Sequence, residues 1–413
     1  MTLRKSATDA IRRLPIPDAA RQRAHATLPW RPGTRTVPTN RLLLGLQNRT
    51  PAAEFARFIG DLRWPSTPLA DGPHAALLRL AEARGELSDE EILATPYVRM
   101  ARQCIAVRGF YFWATDDVGI VEVARDYIAR HRGESVGRTS EHSTAPGVPP
   151  RVAVIAGSDC YQVLDGHHRL ASAIVAGQRS ADVKVKWFPV NTLLQELLRN
   201  TTGANEVLAQ PVDAPEVRSW ATARWCVDRF DRMQGLLRSA NLMPPATSTY
   251  LDVGSRYGWF LARMQEQGFT VTGVEKDPSA PAVSATAYRL DPAFVRVADA
   301  ARLLREADAQ WDVVSCFGPF SAVTAGDRPA NQQVLVSLLA KVTRRVLFLD
   351  FGREQDERLV DACFGGNPRS IAGFLRQSTG FPEVVDLGPV ADPLGSAKPG
   401  RGGHLFACVS SSP

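Results

Sequence analysis

"YLDVGSRYGWFLARMQEQGFTVTGVEKDP", residues 250–278, decides how the C-terminal half of the chain is read. The apolar run from Tyr250 to Val253 has the length and residue types of a buried strand. It ends in Gly254-Ser255-Arg256-Tyr257-Gly258, and helical spacing begins at Trp259. Glycines at the two ends of such a turn let the backbone bend sharply and approach a ligand closely. A second strand-like run ends at Glu275, about twenty residues past the first glycine, where an acid can accept hydrogen bonds from ribose hydroxyls. A dinucleotide fingerprint would place a glycine at 256, so that a pyrophosphate could sit on the helix N-terminus. This sequence has Arg256 there. The turn is wider and begins with Asp252, an anion beside the expected ligand. A cationic, amino-bearing ligand suits it better than a diphosphate.

Outward from this stretch, short apolar runs alternate with helical patterns: "TYLDVG", "TVTGVEK", "FVRVAD", "WDVVSCF", "RVLFLDF" and "HLFACVS". The alternation predicts an α/β fold, a mostly parallel sheet with helices on both faces. Together with "LDVGSRYG" and Glu275, it resembles the class I S-adenosylmethionine-dependent methyltransferases over residues 215–410. The resemblance implies a Rossmann-like seven-stranded sheet closed by an antiparallel hairpin from "FPEVVDLG" and "GHLFACVS". It implies S-adenosylmethionine as cofactor, held by Asp252, Gly254, Ser255, Gly258 and Glu275. It also places Asp299, in "VRVADA", near the adenine. "WDVVSCFGPFSAV" would line the methionine end and the substrate, with Ser315, Phe317 and Phe320 as lining residues. No catalytic base follows. The Asn/Asp-Pro-Pro-Tyr motif of amino-methylating DNA enzymes is missing, as is the Pro-Cys nucleophile of cytosine methylation. His404 is a candidate base, weighed against an exposed or already satisfied histidine.

The N-terminal half reads differently. Helical spacing covers 52–62, 73–85 and 118–133, and "LSDEEILATPYVRMARQCIA" reads as one helical region. Ser88 and Glu91 have capping-box spacing there. Residues 134–150 read as a loop. "RVAVIAGSDCYQVLDG" alternates and breaks at Gly157-Ser158-Asp159, as a hairpin would. "HHRLASAIVAG" follows as a helix with Leu170, Ala173 and Ile174 on one face. "ADVKVKWFPV" is a third strand and "NTLLQELLRN" a further helix.

The hairpin-to-helix junction carries Asp165-Gly166-His167-His168-Arg169. Three readings compete for it: a polar turn, a metal site, or an anion cradle. Adjacent histidines diverge and no third ligand stands at useful spacing, so no metal is expected. Backbone amides, the helix dipole and Arg169 favour an anion. The placement resembles the ParB/sulfiredoxin-like superfamily over residues 145–200. That resemblance implies a nucleotide (ATP, ADP or CTP) or phosphate held by Asp165, Gly166, His167, His168 and Arg169. His167 stands where sulfiredoxins carry their cysteine, which removes that activity. The Asp-Gly-His-His-Arg form is most similar to the free-serine kinases of the superfamily.

The expected fold is therefore that sheet preceded by a smaller α+β ParB-like domain with a helical N-terminal region. The expected domains are a loose basic arm (1–50), a helical and ParB-like region (51–200), a linker (201–217) and the methyltransferase domain (218–413). The arm holds ten Lys/Arg against two Asp/Glu, which turns a net charge of +6 into a slightly acidic remainder. It reads as a solvated surface, with nucleic acid not favoured. No apolar run is long enough to span a membrane, and the N-terminus lacks the apolar core of a signal peptide. Six cysteines without a C-x-x-C pair read as reduced thiols of a cytoplasmic protein. The expected activity is methyl transfer to a small-molecule, natural-product or glycan-type acceptor. Two other readings stay open: a DNA-binding regulator with a methyltransferase-fold sensor, and a small-molecule kinase fused to a methyltransferase.

Overall fold

Two kinds of hydrophobic pattern build two units, Met1–Thr192 and Leu193–Pro413, in the computed structural model. The structure describes residues 33–134, 148–202, 207–208, 210–222, 225–239, 248–317, 329–351, 368–390 and 403–410. The first 32 residues of the basic arm, most of the 134–150 loop and Phe320 lie outside them.

The N-terminal unit opens with β1 (Arg35–Pro38) and β2 (Leu42–Leu43). Helices α1 (Ala52–Ile59), α2 (Pro73–Arg84), α3 (Asp89–Leu93), α4 (Pro96–Arg108) and α5 (Asp117–His131) follow. Then come β3 (Arg151–Val154), β4 (Tyr161–Asp165), α6 (His167–Val175) and β5 (Ser180–Val185). The sheet order is β1-β5-β3-β4-β2. The expected hairpin is present as the antiparallel β3–β4 pair, turned by Ile155 N–H donating to Cys160 O at 3.0 Å.

Three expectations change here. The loose arm does not extend to residue 50, because Arg35–Pro38 pairs with β5 and Leu42–Leu43 with β4. The single helical region after Leu87 is two helices. The Ser88–Glu91 capping box starts the first, and Thr95 with Pro96 at the first helical position starts the second. On α6 the buried residues are His167, Leu170 and Ala171, while Ala173 and Ile174 are only half-buried. The histidine takes part in the packed face.

The second unit begins with α7 (Leu193–Thr202). Its Leu194 and Leu198 pack with Val283 and Ala287, so "NTLLQELLRN" belongs to this unit and not to the first. The stretch expected as a linker holds β6 (Val207–Leu208), which pairs with β7 (Ala221–Thr222). Helix α8 (Trp225–Ser239) leads into β8 (Thr249–Val253), α9 (Trp259–Glu266), β9 (Thr270–Glu275) and α10 (Ala280–Tyr288). The chain continues through β10 (Val295–Val297), α11 (Ala300–Glu306), β11 (Trp311–Cys316), α12 (Pro329–Lys341) and β12 (Thr343–Phe351). It closes with α13 (Pro368–Thr379), β13 (Glu383–Val390) and β14 (Gly403–Val409).

The seven strands run β10-β9-β8-β11-β12-β14-β13. The first five are parallel, and β14 is antiparallel to both β12 and β13. Alternate residues feed two cores. Tyr250, Val313, Phe348 and Ala407 meet α8 and α9 on one face, while Leu251, Val314, Leu347 and Phe406 meet α11, α12 and α13 on the other. Strand order reverses at β8, the kind of point beyond whose strand carboxyl ends open α/β sheets bind their ligands. The turn after β8 stands at that end. Among the described residues no helix is long and apolar enough to cross a membrane.

Candidate functional site

The turn after β8 needs backbone that bulky residues avoid. Gly254 has φ +80°, Arg256 +48° and Gly258 +84°. A Cβ at Gly258 would also stand 3.0 Å from Leu290 Cδ1 and 3.2 Å from Ser284 Cβ. The Gly254 and Ser255 amides donate to Val274 O at 2.8 and 3.2 Å, and Gly258 N–H donates to Ser255 O at 2.8 Å. The turn is thus tied to β9 before any ligand arrives.

Asp252 sits beneath it, 2% exposed. Its Oδ1 accepts from Ser315 Oγ at 2.7 Å, and that hydroxyl shares a 2.5 Å hydrogen bond with Tyr250 OH. Oδ2 is buried with no hydrogen-bond partner. Burial pushes the carboxyl up to about 7, the Ser315 hydrogen bond opposes the rise and Glu275 adds to it. An orphaned carboxylate oxygen of this kind is expensive unless a donor or a cation meets it.

Glu275 ends β9 and reaches back over the turn. Oε2 accepts from Arg256 N–H at 2.9 Å, and Oε1 accepts from the Lys276 and Asp277 amides at 2.8 and 3.3 Å. These bonds fix the carboxylate at the strand end. Ser255 is fully buried and turns inward against Gly273, where its Oγ has no partner. It meets a ligand through its backbone or not at all. Asp299 caps α11, accepting from Arg302 N–H at 2.8 Å. Phe317 is buried against Phe260, ring centroids 4.8 Å apart, with the Arg229 guanidinium 6.0 Å from its ring. Arg229 is itself paired with Asp350 in the core. Ser315 belongs to the Asp252 hydrogen-bond chain. His404 Nδ1 lies 3.1 Å from Asp386 Oδ1 and opposite Phe351, at the sheet's carboxyl edge.

One residue at the turn had no signal in the sequence. Gln210, between β6 and β7, bonds the turn's backbone from outside the sheet, accepting from the Tyr257 and Trp259 amides. Nothing local marks it, because its partners lie more than forty positions away.

Residues 221–361 match a family model described as a methyltransferase domain. The C-terminal unit carries a methyltransferase domain. Solved structures similar in part include the bifunctional kinase-methyltransferase WbdD, 19% identical over 52% of this chain and 46% of that one, with a TM-score of 0.40. Magnesium protoporphyrin IX methyltransferase (ChlM) from Synechocystis PCC 6803 is 15% identical over 45% and 80%, with a TM-score of 0.34. The methyltransferase domain of bacterial CtHen1-CN is 13% identical over 45% and 99%, with a TM-score of 0.32. The chain spans less than half the length of WbdD. A search of curated proteins finds no significant match.

Outside the methyltransferase domain, the N-terminal unit gathers a second set of unusual side chains. Gly166 (φ +89°) precedes α6, whose first turn has no side-chain cap. His167 and His168 do not stand on an open turn. His167 stacks on His74 of α2 at 5.4 Å, and His74 meets His168 edge-on at 4.8 Å. His168 Nε2 lies 2.7 Å from Tyr97 OH, and Tyr127 OH donates to His168 O at 3.1 Å. Burial pushes His167 and His168 down to about 3, and it pushes His74 well below the usual imidazole range. All three are neutral at pH 7. Both ring nitrogens of His74, Nε2 of His167 and Nη2 of Arg169 are buried without hydrogen-bond partners. Arg169 Nη1 donates to Val148 O, and Nη2 lies 3.9 Å from Asp165 Oδ2. His74, Tyr97 and Tyr127 had no sequence signal, since a histidine or tyrosine in a helical pattern reads as ordinary packing. Among the described residues no group of three His, Cys, Asp or Glu is arranged to hold a metal ion.

Proposed function

We propose that the C-terminal unit transfers a methyl group from S-adenosylmethionine to a small-molecule, natural-product or glycan-type acceptor. The observation that carries this reading is Asp252, a buried carboxylate with one oxygen unpartnered, directly under a left-handed glycine turn. That oxygen suits a cofactor ammonium group. Glu275 would accept from the ribose hydroxyls, and the turn backbone at Gly254, Ser255 and Gly258 would face the rest of the cofactor. Asp299 and Phe317 would stand near the adenine and the methionine end. When bound, S-adenosylmethionine supplies a methyl group on a sulfonium, ready for in-line attack. The chain's contribution is then chiefly to position the acceptor and exclude water. No residue is assigned as base, which is needed only if the acceptor must lose a proton.

Isothermal titration with S-adenosylmethionine tests the reading. Wild-type protein is expected to bind. Gly254→Arg, which puts a side chain into a left-handed position, is expected to abolish binding. Glu275→Ala is expected to weaken it at least about tenfold, the loss of charge-assisted hydrogen bonds. No heat with wild type, or equal affinity in both variants, removes the reading.

For the N-terminal unit we infer an anion site of phosphate or nucleotide class at residues 165–169. The supporting observation is the unpartnered Nη2 donor of Arg169, with unpartnered ring nitrogens of His74 and His167 close by, beside an uncapped helix start. ATP, ADP and CTP titrated separately into wild type and Arg169→Ala decide it. Binding lost in the variant is the expected result. A wild type that takes up none of the three ends the reading, and the kinase alternative with it.

A further inference from the structure

From outside the seven-stranded sheet, the Gln210 side chain bonds to the backbone of the 254–258 turn and to the first residue of α9. It is 2% exposed. Its Oε1 accepts from Tyr257 N–H at 3.1 Å and from Trp259 N–H at 3.2 Å. Its Nε2 donates to Ser255 O at 3.3 Å. One neutral amide therefore serves two donors and one acceptor of the turn, as a piece of backbone would.

The segment that carries Gln210 is itself held. Tyr288 OH of α10 donates to Pro211 O at 2.7 Å. Leu208, Val212, Val217 and Trp220 pack with Tyr257, Val283 and Ala287 in one apolar cluster. Gln195 Nε2 of α7 donates to Glu216 O at 3.0 Å. The side chain thus reaches the turn from an anchored strap.

Its location has a chemical consequence. Trp259 is the first residue of α9, so its amide is one of the orphan donors of a helix N-terminus. Such donors are what a pyrophosphate takes in dinucleotide-binding turns. Here an uncharged amide oxygen already occupies that position.

We propose that Gln210 is the positioning residue of the cofactor turn. It holds Ser255–Trp259 in the ligand-accepting conformation. By filling the amides at the start of α9, it also favours a cofactor without a phosphate there. This rests on the S-adenosylmethionine reading of the same turn. A carboxylate at 210 could still accept from both amides, but it could not donate to Ser255 O. Leucine could do neither.

The test uses the full chain with Gln210→Leu and Gln210→Glu. Titration with S-adenosylmethionine is expected to show affinity reduced about tenfold or more in the leucine variant, with the glutamate variant between it and wild type. Amide hydrogen exchange in ligand-free protein is expected to be at least about tenfold faster at Tyr257 and Trp259 in the leucine variant. Unchanged affinity and unchanged exchange at those amides, with only a lower Tm, would reduce Gln210 to a packing role and overturn the proposal. If the leucine variant does not fold, the glutamate variant decides by the same two readouts. A wild type that binds no S-adenosylmethionine would remove the methyltransferase reading and the cofactor half of this proposal. Hydrogen exchange would still decide whether Gln210 holds the turn.

Discussion

Gly45→Ala is expected to unfold the N-terminal unit. A Cβ at Gly45 would stand 1.8 Å from the Val163 carbonyl oxygen, 2.8 Å from its carbon and 2.9 Å from Gln162 Cγ. No rotamer relieves this, because the first two clashing atoms are backbone. Nor can β4 step aside, since it pairs with β3 on one side and β2 on the other. The chain at Gly45 would have to move instead. That breaks Leu46 N–H to Val163 O (3.1 Å) and Trp64 Nε1–H to Gly45 O (2.9 Å). Each lost bond that leaves a buried group unpaired costs about 1–3 kcal/mol, and the displaced core adds to that. The sum approaches the whole stability of an ordinary domain, about 5–15 kcal/mol. Circular dichroism melts would show the transition of this unit lost, while the methyltransferase unit keeps its own. A variant melting within about 2 °C of wild type would show that the close approach is wrong, since about 1 kcal/mol already shifts Tm by more.

The same unit is expected to lose on the order of 5 kcal/mol between pH 7 and pH 4.5. Burial holds His167 and His168 at about 3, below the ordinary imidazole range. The unfolded chain, with values near 6.5, therefore binds protons that the folded unit refuses. Stability is complete above about pH 6.5 and drains away as the pH falls toward 3. Each group costs roughly 3 kcal/mol of stability at pH 4.5, which is about two pH units below the unfolded value. His74 acts in the same direction. Because His168 is half-buried, its share is an upper figure. Urea unfolding at the two pH values measures the effect. His74→Phe and His167→Phe are expected to flatten the dependence, which separates the imidazoles from carboxylate titration. An equally steep dependence in both variants would sink this account.

Much of the methyltransferase unit was readable because its signals are local. The alternation of strands and helices, the glycine turn and the acid at the end of β9 are all written within a few residues of one another. The antiparallel closing pair of β13 and β14 followed from the family resemblance, and the structure contains it. In the N-terminal unit the hairpin, the capping box and the helix that ends near Gly177 are local in the same sense.

What went unread depends on distant partners. Helical spacing places Leu170, Ala173 and Ile174 on one face of α6. Packing against His74 of α2, almost a hundred positions earlier, buries His167 instead. Residues 201–217 are polar and interrupted by prolines, which reads as a linker. Yet Leu208 and Val217 are buried there, and Gln210 reaches the turn after β8. The family resemblance points to Asp299 and Phe317 by their place after a strand, and the structure gives them work in the fold, as a helix cap and as a core ring.

The sequence by itself determined the α/β alternation of the C-terminal half, the glycine turn after β8 and the acid at the end of β9, because period and turn chemistry are encoded within a few residues. The tertiary structure alone decided which polar atoms are left without partners, at Asp252, His74 and His167, and which side chain completes the turn, at Gln210. Burial and hydrogen bonding are settled by segments that meet only when the chain has folded.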